Sequence, residues 1–221
     1  LPLADTLGQI TTLDQFIECI ELQYGPDDLL INGRPYVPGN FRAEGHPYFQ
    51  TEAWKPGIVY LKGKPYPSEK LKYNLVNQQL VIQYDRPNGT YQRVVVSELL
   101  VDSFRIGAHS FVNQSLILPG EEDGGYLGKI FEEQLSLFRF SKKVLSAPSG
   151  SNPNGQGRGR KEVFYLRKGG QLHRITKRSD FWACFPEHKS RIKKYMKKNT
   201  PRWKKITDPQ FVGLLNFCHD Q

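Results

Sequence analysis

The chain has 221 residues, a formal net charge of +9 and an aromatic content of 12%. That length can bury a hydrophobic core as one larger domain or two small ones. No apolar run approaches the roughly 20 residues that a membrane-spanning helix requires, so the sequence predicts no such helix in this chain.

The charge is divided unevenly along the chain. Residues 151–221 hold 17 of the 31 Lys and Arg residues and only five of the 22 Asp and Glu residues. Residues 1–150 hold the other 14 bases and 17 acids. Segregated charge of this kind produces a local field that attracts partners of the opposite sign.

The first predicted element is an amphipathic helix over residues 12–24, where apolar side chains recur with a spacing of 3.6 residues. A β body over residues 29–175 follows, because short apolar or alternating runs are separated by Gly, Asn and Pro turns. The predicted strands are 29–31, 57–61, 71–75, 79–84, 93–100, 103–106, 115–118, 125–131, 134–139, 163–166 and 171–175. Short strands in this arrangement favour an antiparallel meander or a partial barrel.

Three segments of the β body share the pattern Gly–basic–Pro–Tyr. They occupy residues 33–36, 45–48 and 63–66. Gly adopts unusual backbone angles, Pro fixes the next φ, and Tyr packs its ring while its hydroxyl stays hydrated. We interpret the segments as turns at which strands begin, in preference to a ligand-binding tyrosine cluster.

The composition of residues 146–160, rich in Gly, Ser, Asn and Pro, predicts a flexible loop between two paired strands. The end of the chain is predicted to be a helical cap over residues 179–219. Ser179 caps a first helix to Cys184, Pro186 begins a second helix to about Asn199, and Asp208 begins a third.

The sequence predicts neither a cofactor nor a metal site. Cys19, Cys184 and Cys218 are widely spaced and form no metal-binding motif, so they are interpreted as small core residues and their disulfide status stays open. The acidic segment 121–125 lacks the ligand spacing of a calcium loop and is interpreted as an exposed turn.

Several segments resemble a family of exported proteins of unknown function from Bacteroidetes-type bacteria. The similar segments are 32–36, 45–49, 54–57, 63–66 and 71–74, with 177–180, 185–189 and 192–199 near the end of the chain. The resemblance implies a periplasmic or outer-membrane-associated protein whose export signal has been removed. It brings no catalytic or binding residues with it.

The basic part of the helical cap is the candidate functional site. Its apolar positions, Ile192, Tyr195 and Met196, fall on one helical face and leave the bases to cover the remainder. The candidate anion-binding residues are Lys189, Arg191, Lys193, Lys194, Lys197, Lys198, Arg202, Trp203, Lys204 and Lys205. Lysine is a point-charge binder, so the pattern favours diffuse contact with an anionic lipid, lipopolysaccharide or an envelope protein. A helix that is only solvated by its lysines is the alternative interpretation.

The sequence leaves two alternative functions open. A hydrolase of envelope polymers would use His109, Ser110 and Asp102, which have the residue types of a triad but no diagnostic spacing. Nucleic-acid binding would use the Arg158-Gly159-Arg160 segment and the basic patch, but no recognition motif is present. The sequence therefore favours a single-domain, non-enzymatic α+β protein with no catalytic residues assigned.

Overall fold

The computed structural model of the chain describes residues 33–39, 46–86, 88–120, 124–145, 157–199 and 203–219. The predicted helix over residues 12–24, the predicted strand 29–31, Cys19, most of the acidic turn and Arg202 lie outside these ranges. The side chains of Arg158 and Lys204 are likewise outside the description.

Eleven strands of the described residues form one antiparallel sheet. They are β1 (Arg34–Pro35), β2 (Lys55–Leu61), β3 (Lys64–Asn74), β4 (Gln79–Asp85), β5 (Tyr91–Val95), β6 (Val101–Ile106), β7 (His109–Asn113), β8 (Tyr126–Glu132), β9 (Ser136–Leu145), β10 (Gly157–Lys168) and β11 (Gln171–Ile175). Their order across the sheet is β1-β5-β4-β3-β2-β6-β7-β8-β9-β10-β11. The antiparallel prediction is confirmed, but the sheet consists of two meanders, β2–β5 and β6–β11, joined by a return that places β6 beside β2.

The sheet is open, with β1 and β11 at its edges, but it curves enough to bring β9 against the turn after β3. The Lys143 amide in β9 donates to the carbonyl of Leu75, which lies in the turn after β3 (N···O 3.0 Å). The buried amide of Gln78 reinforces this contact by donating to the carbonyls of Leu75 at 2.7 Å and Ser141 at 3.1 Å. The side-chain oxygen Oε1 of Gln78 in turn accepts a hydrogen bond from the Tyr73 hydroxyl.

Four helices accompany the sheet in the described ranges. They are α1 (Gln114–Ile117), α2 (Arg178–Ala183), α3 (Lys189–Asn199) and α4 (Asp208–His219), with a 3-10 turn at Trp203–Lys205. The last three helices form the predicted cap, whose core they share with the sheet: Phe164 of β10 lies 5.0 Å from Phe211 of α4, measured between ring centroids. An ion pair between Arg139 of β9 and Asp208 of α4 also joins the sheet to the cap (N···O 2.5 Å).

The predicted strand 115–118 is wrong, because these residues belong to α1 and the segment after it. Asn113 caps α1: its side-chain oxygen accepts from the Ser115 amide at 3.0 Å and the Ser115 hydroxyl at 2.8 Å. The predicted strand 93–100 is too long, since β5 ends at Val95 and the Leu100 amide bonds back to the Ser97 carbonyl in a turn.

Two helix starts in the cap also differ from prediction. Helix α2 begins at Arg178 and not after a Ser179 cap, because the Asp180 carboxylate accepts hydrogen bonds from the amides of Thr176 (2.9 Å) and Lys177 (3.0 Å). Helix α3 begins at Lys189, since the residues from Pro186 onward first form a separate turn. The third helix begins at Asp208 as predicted.

The Gly–basic–Pro–Tyr segments behave as turns at strand starts in two instances. Strands β1 and β3 each begin at the base that follows the glycine, Arg34 and Lys64. The tyrosines then diverge, because Tyr66 is buried in the main core whereas the hydroxyls of Tyr36 and Tyr48 share a hydrogen bond of 2.8 Å on the other face of the sheet.

A series of cation–π contacts fixes the segment before β2 to the sheet. The Lys72 ammonium lies 4.6 Å from the ring centroid of Tyr48 and 4.3 Å from that of Trp54. The Arg93 guanidinium lies 5.5 Å from Trp54 and 4.9 Å from the ring of Tyr91. The basic and aromatic side chains of this face therefore stabilise one another, and they are not free platforms for a ligand.

The predicted loop 146–160 is bracketed by paired strands, because β9 and β10 are antiparallel neighbours. Strand β10 already begins at Gly157, so the last four residues of the predicted loop are strand. That a single domain spans the whole chain stays a prediction.

Candidate anion-binding surface

Helix α3 is anchored by a narrow apolar stripe. Ile192 and Met196, one turn apart, are buried with 0% and 1% of their surface exposed. Tyr195 is half-buried and stacks on Phe217 of α4, with ring centroids 4.3 Å apart. The predicted apolar face of the helix is therefore turned to the cap core, which fixes the direction of the remaining side chains.

The other side of α3 is covered by bases. Six of the ten predicted residues lie on this helix and all six are exposed: Lys189, Arg191, Lys193, Lys194, Lys197 and Lys198. Since successive residues are rotated by about 100°, these side chains fan over roughly half of the helix circumference. We refer to these six residues as the α3 basic face.

No carboxylate neutralises the α3 basic face within the part of the chain that the structure describes. None of the ion pairs found there includes any of its six residues. Of the contacts among described residues, the Lys193 ammonium lies 4.6 Å from the ring centroid of Trp182. The face therefore presents exposed positive charge whose field is screened by salt.

The remaining predicted residues follow α3. Trp203 is half-buried, and its ring packs 5.9 Å from Phe181 and 5.3 Å from Phe211, so it serves the cap core. Lys205 is exposed beside it. The structure thus brings six of the predicted bases together on one helix and places Trp203, the predicted aromatic residue of the site, against the core of the cap.

The residues considered for a hydrolase are not assembled. His109 pairs with Ile106, while Asp102 stands four positions further along β6. At about 3.3 Å per residue the two side chains begin about 13 Å apart. Asp102 accepts a hydrogen bond from the Gly63 amide at 2.5 Å, and His109 is bonded to Gln50 at 2.8 Å. Both side chains are therefore used in local contacts at opposite ends of a hairpin.

The cysteines described, Cys184 and Cys218, are free and buried, as expected for small core residues. Burial raises the pKa of the Cys218 thiol to about 12, against a smaller lowering effect of Lys168. A thiol in that environment stays neutral and is a poor nucleophile or metal ligand. Within the described ranges, no group of three or more His, Cys, Asp or Glu residues is arranged to hold a metal ion.

No helix among the described residues combines the length and the apolar character needed to cross a membrane. Comparison with known proteins adds no relative: no protein-family description, curated protein or solved structure matches the chain. The surface and the cavities of the protein are therefore the features that bear on its function.

Proposed function

We propose that the chain is a non-catalytic protein of the bacterial cell envelope that binds anionic lipid headgroups through the α3 basic face. The observation that carries the proposal is the arrangement of six exposed bases around a helix whose apolar stripe is already packed. The envelope setting rests on the resemblance of the segments around residues 32–74 and 177–199 to exported bacterial proteins.

The charge of the face is sufficient for this role. A Lys or Arg near an anionic membrane surface contributes about 1 kcal/mol, so six contribute about 6 kcal/mol at low ionic strength. The attraction falls off within a Debye length of about 10 Å at 0.1 M salt, so binding should weaken steeply as salt is added.

The type of base favours a surface over a nucleic-acid sequence. Five of the six residues are lysines, whose compact ammonium lacks the planar fork with which arginine reads bases or clamps single phosphates. The aromatic rings nearest the face, Tyr195 and Trp182, are engaged by Phe217 and Lys193. No aromatic ring of this helix is therefore free to stack on the nucleobases of a single strand.

Vesicle co-sedimentation tests the proposal. The protein should pellet with phosphatidylglycerol vesicles at about 50 mM salt, stay in solution with phosphatidylcholine vesicles, and be released from the anionic vesicles at about 500 mM salt. Replacing Lys193, Lys194, Lys197 and Lys198 with Gln removes about 4 kcal/mol of attraction and should weaken binding at least a hundredfold.

A matched control separates local placement from total charge. Lys55, Lys62, Lys64 and Lys161 are also exposed, and their replacement with Gln changes the net charge by the same amount. This variant should keep most of the vesicle affinity. Equal losses in the two variants, or tighter binding of a mixed-sequence DNA duplex than of anionic vesicles, would refute the lipid assignment. Fractionation of the producing cells tests the envelope setting separately.

A further inference from the structure

A cavity of about 410 Å³ opens where β1, β4 and β5 meet the turn after β3. The residues that line it include Arg34, Gln78, Gln79, Ser97, Glu98 and Tyr126. The volume lies in the range of small-molecule sites, and the mouth of a curled sheet is one of the places where such sites occur. The cavity is formed by other elements than the α3 basic face.

Two opposite charges line the cavity without neutralising each other. The Glu98 carboxylate accepts a hydrogen bond from the Gly125 amide at 2.5 Å but has no ion pair with any described base. The Arg34 guanidinium has no ion pair with any described acid. The two charged groups are therefore more than 4.0 Å apart, although both residues line the same cavity.

The same wall contains an incompletely satisfied polar group. The Tyr126 side chain is only 1% exposed, and its hydroxyl has no hydrogen-bond partner. A buried hydroxyl without a partner destabilises a fold, so such groups are uncommon, and an enclosed ordered water is the partner that completes them. Burial, with the Glu98 charge as a smaller cause, raises the pKa of Tyr126, which keeps the hydroxyl protonated as a donor.

We propose that this cavity binds a small zwitterion, an amino acid or short peptide with free ends, whose ammonium group pairs with Glu98 and whose carboxylate pairs with Arg34. The assignment follows from the two separated, unpaired charges, since a ligand with both charges satisfies both walls at once. A purely anionic or purely cationic ligand would leave one wall charge unpaired and would meet repulsion from it.

Titration calorimetry with alanine, dialanine and trialanine tests this and finds the length that fits the spacing of the charges. For the best of the three, N-acetylation and C-terminal amidation should each weaken binding by about tenfold or more, because each removes one charge-assisted contact. Glu98→Gln and Arg34→Gln should each produce a comparable loss. Absence of binding by all three probes, or binding that ignores both blocked ends, overturns the proposal.

Controls make the result specific to the cavity. Glu133→Gln and Arg105→Gln remove equivalent charges from exposed residues elsewhere and should leave the affinity unchanged. The unfolding midpoint of each variant shows whether a loss comes from the site or from misfolding. If Glu98→Gln is unstable because of its bond to Gly125, the blocked ligands still test the same two contacts on the unaltered protein. Replacing the lysines of the α3 basic face should not affect this binding.

Discussion

Leu215→Ala and Leu99→Ala make the same chemical change at opposite extremes of burial. Leu215 of α4 is 0% exposed in the cap core, whereas Leu99 is 95% exposed. Losing a fully buried leucine removes about 1.5–3 kcal/mol of transfer free energy, and the cavity left behind raises the total to about 2.5–5 kcal/mol. We expect Leu215→Ala to lower the free energy of unfolding by about 3 kcal/mol and Leu99→Ala to change it by less than about 0.5 kcal/mol.

Urea denaturation measures both values and also tests whether the cap and sheet unfold together. In a Trp54→Phe background the fluorescence comes from Trp182 and Trp203 of the cap, while far-UV circular dichroism reports mainly on the sheet. Because Phe164 of β10 shares the cap core, the two transitions should coincide. A loss below about 1 kcal/mol for Leu215→Ala would refute the packing described for the cap. Separate transitions would contradict a single domain.

Three further predictions concern other parts of the fold. Gly57→Ala should lower the free energy of unfolding by at least about 2 kcal/mol, because the new methyl group would overlap the Arg105 carbonyl. Gly159→Ala, where the new methyl group has no neighbour within 4 Å, should change it by less than about 0.5 kcal/mol. Chemical denaturation measures both values. Asp180→Ala should cost about 1 kcal/mol at neutral pH through loss of its contacts at the start of α2. Burial tends to raise the Asp180 pKa, but the hydrogen bonds that the carboxylate accepts from Thr176 and from the Lys177 amide hold the pKa below its ordinary value. The contribution of Asp180 to stability is therefore present above about pH 4 and is lost as the pH falls through the lowered pKa. The Cys218 thiol should resist iodoacetamide in the folded protein at about pH 9 and react in guanidinium, as peptide mapping can show. The unfolded thiol ionises near pH 8.5 and the folded one near pH 12. The contribution of this thiol to stability should therefore decline as the pH rises between these values.

Elements with a local signal were predictable from the sequence. The alternation of apolar residues placed β4 within one residue of its observed ends, the Lys168-Gly169-Gly170 turn placed β11, and Asp208 marked the start of α4. The bases of α3 were also predictable, because helical spacing alone separates Ile192 and Met196 from the charged positions. In each case the information lies within a few neighbouring residues.

Features set by distant contacts were not predictable in the same way. The placement of β6 beside β2 depends on pairing between segments that are far apart in sequence, and alternation gives no partner for a strand. The cavity between Arg34 and Glu98 arises only after the sheet has curled. The start of α2 was misplaced because the carboxylate that fixes it, Asp180, lies inside the helix and bonds to residues before it.

The return of the chain from β5 to β6 has a consequence for the order of assembly during protein synthesis. Strand β2 is bordered by β3 on one side and β6 on the other. As translation proceeds, the hairpins from β2 to β5 can form through contacts between strands that are adjacent in sequence. Strand β6 is synthesised after them and can then pair with the free edge of β2. The later strands add one after another, so the ribosome delivers each new strand beside a partner that has already been made.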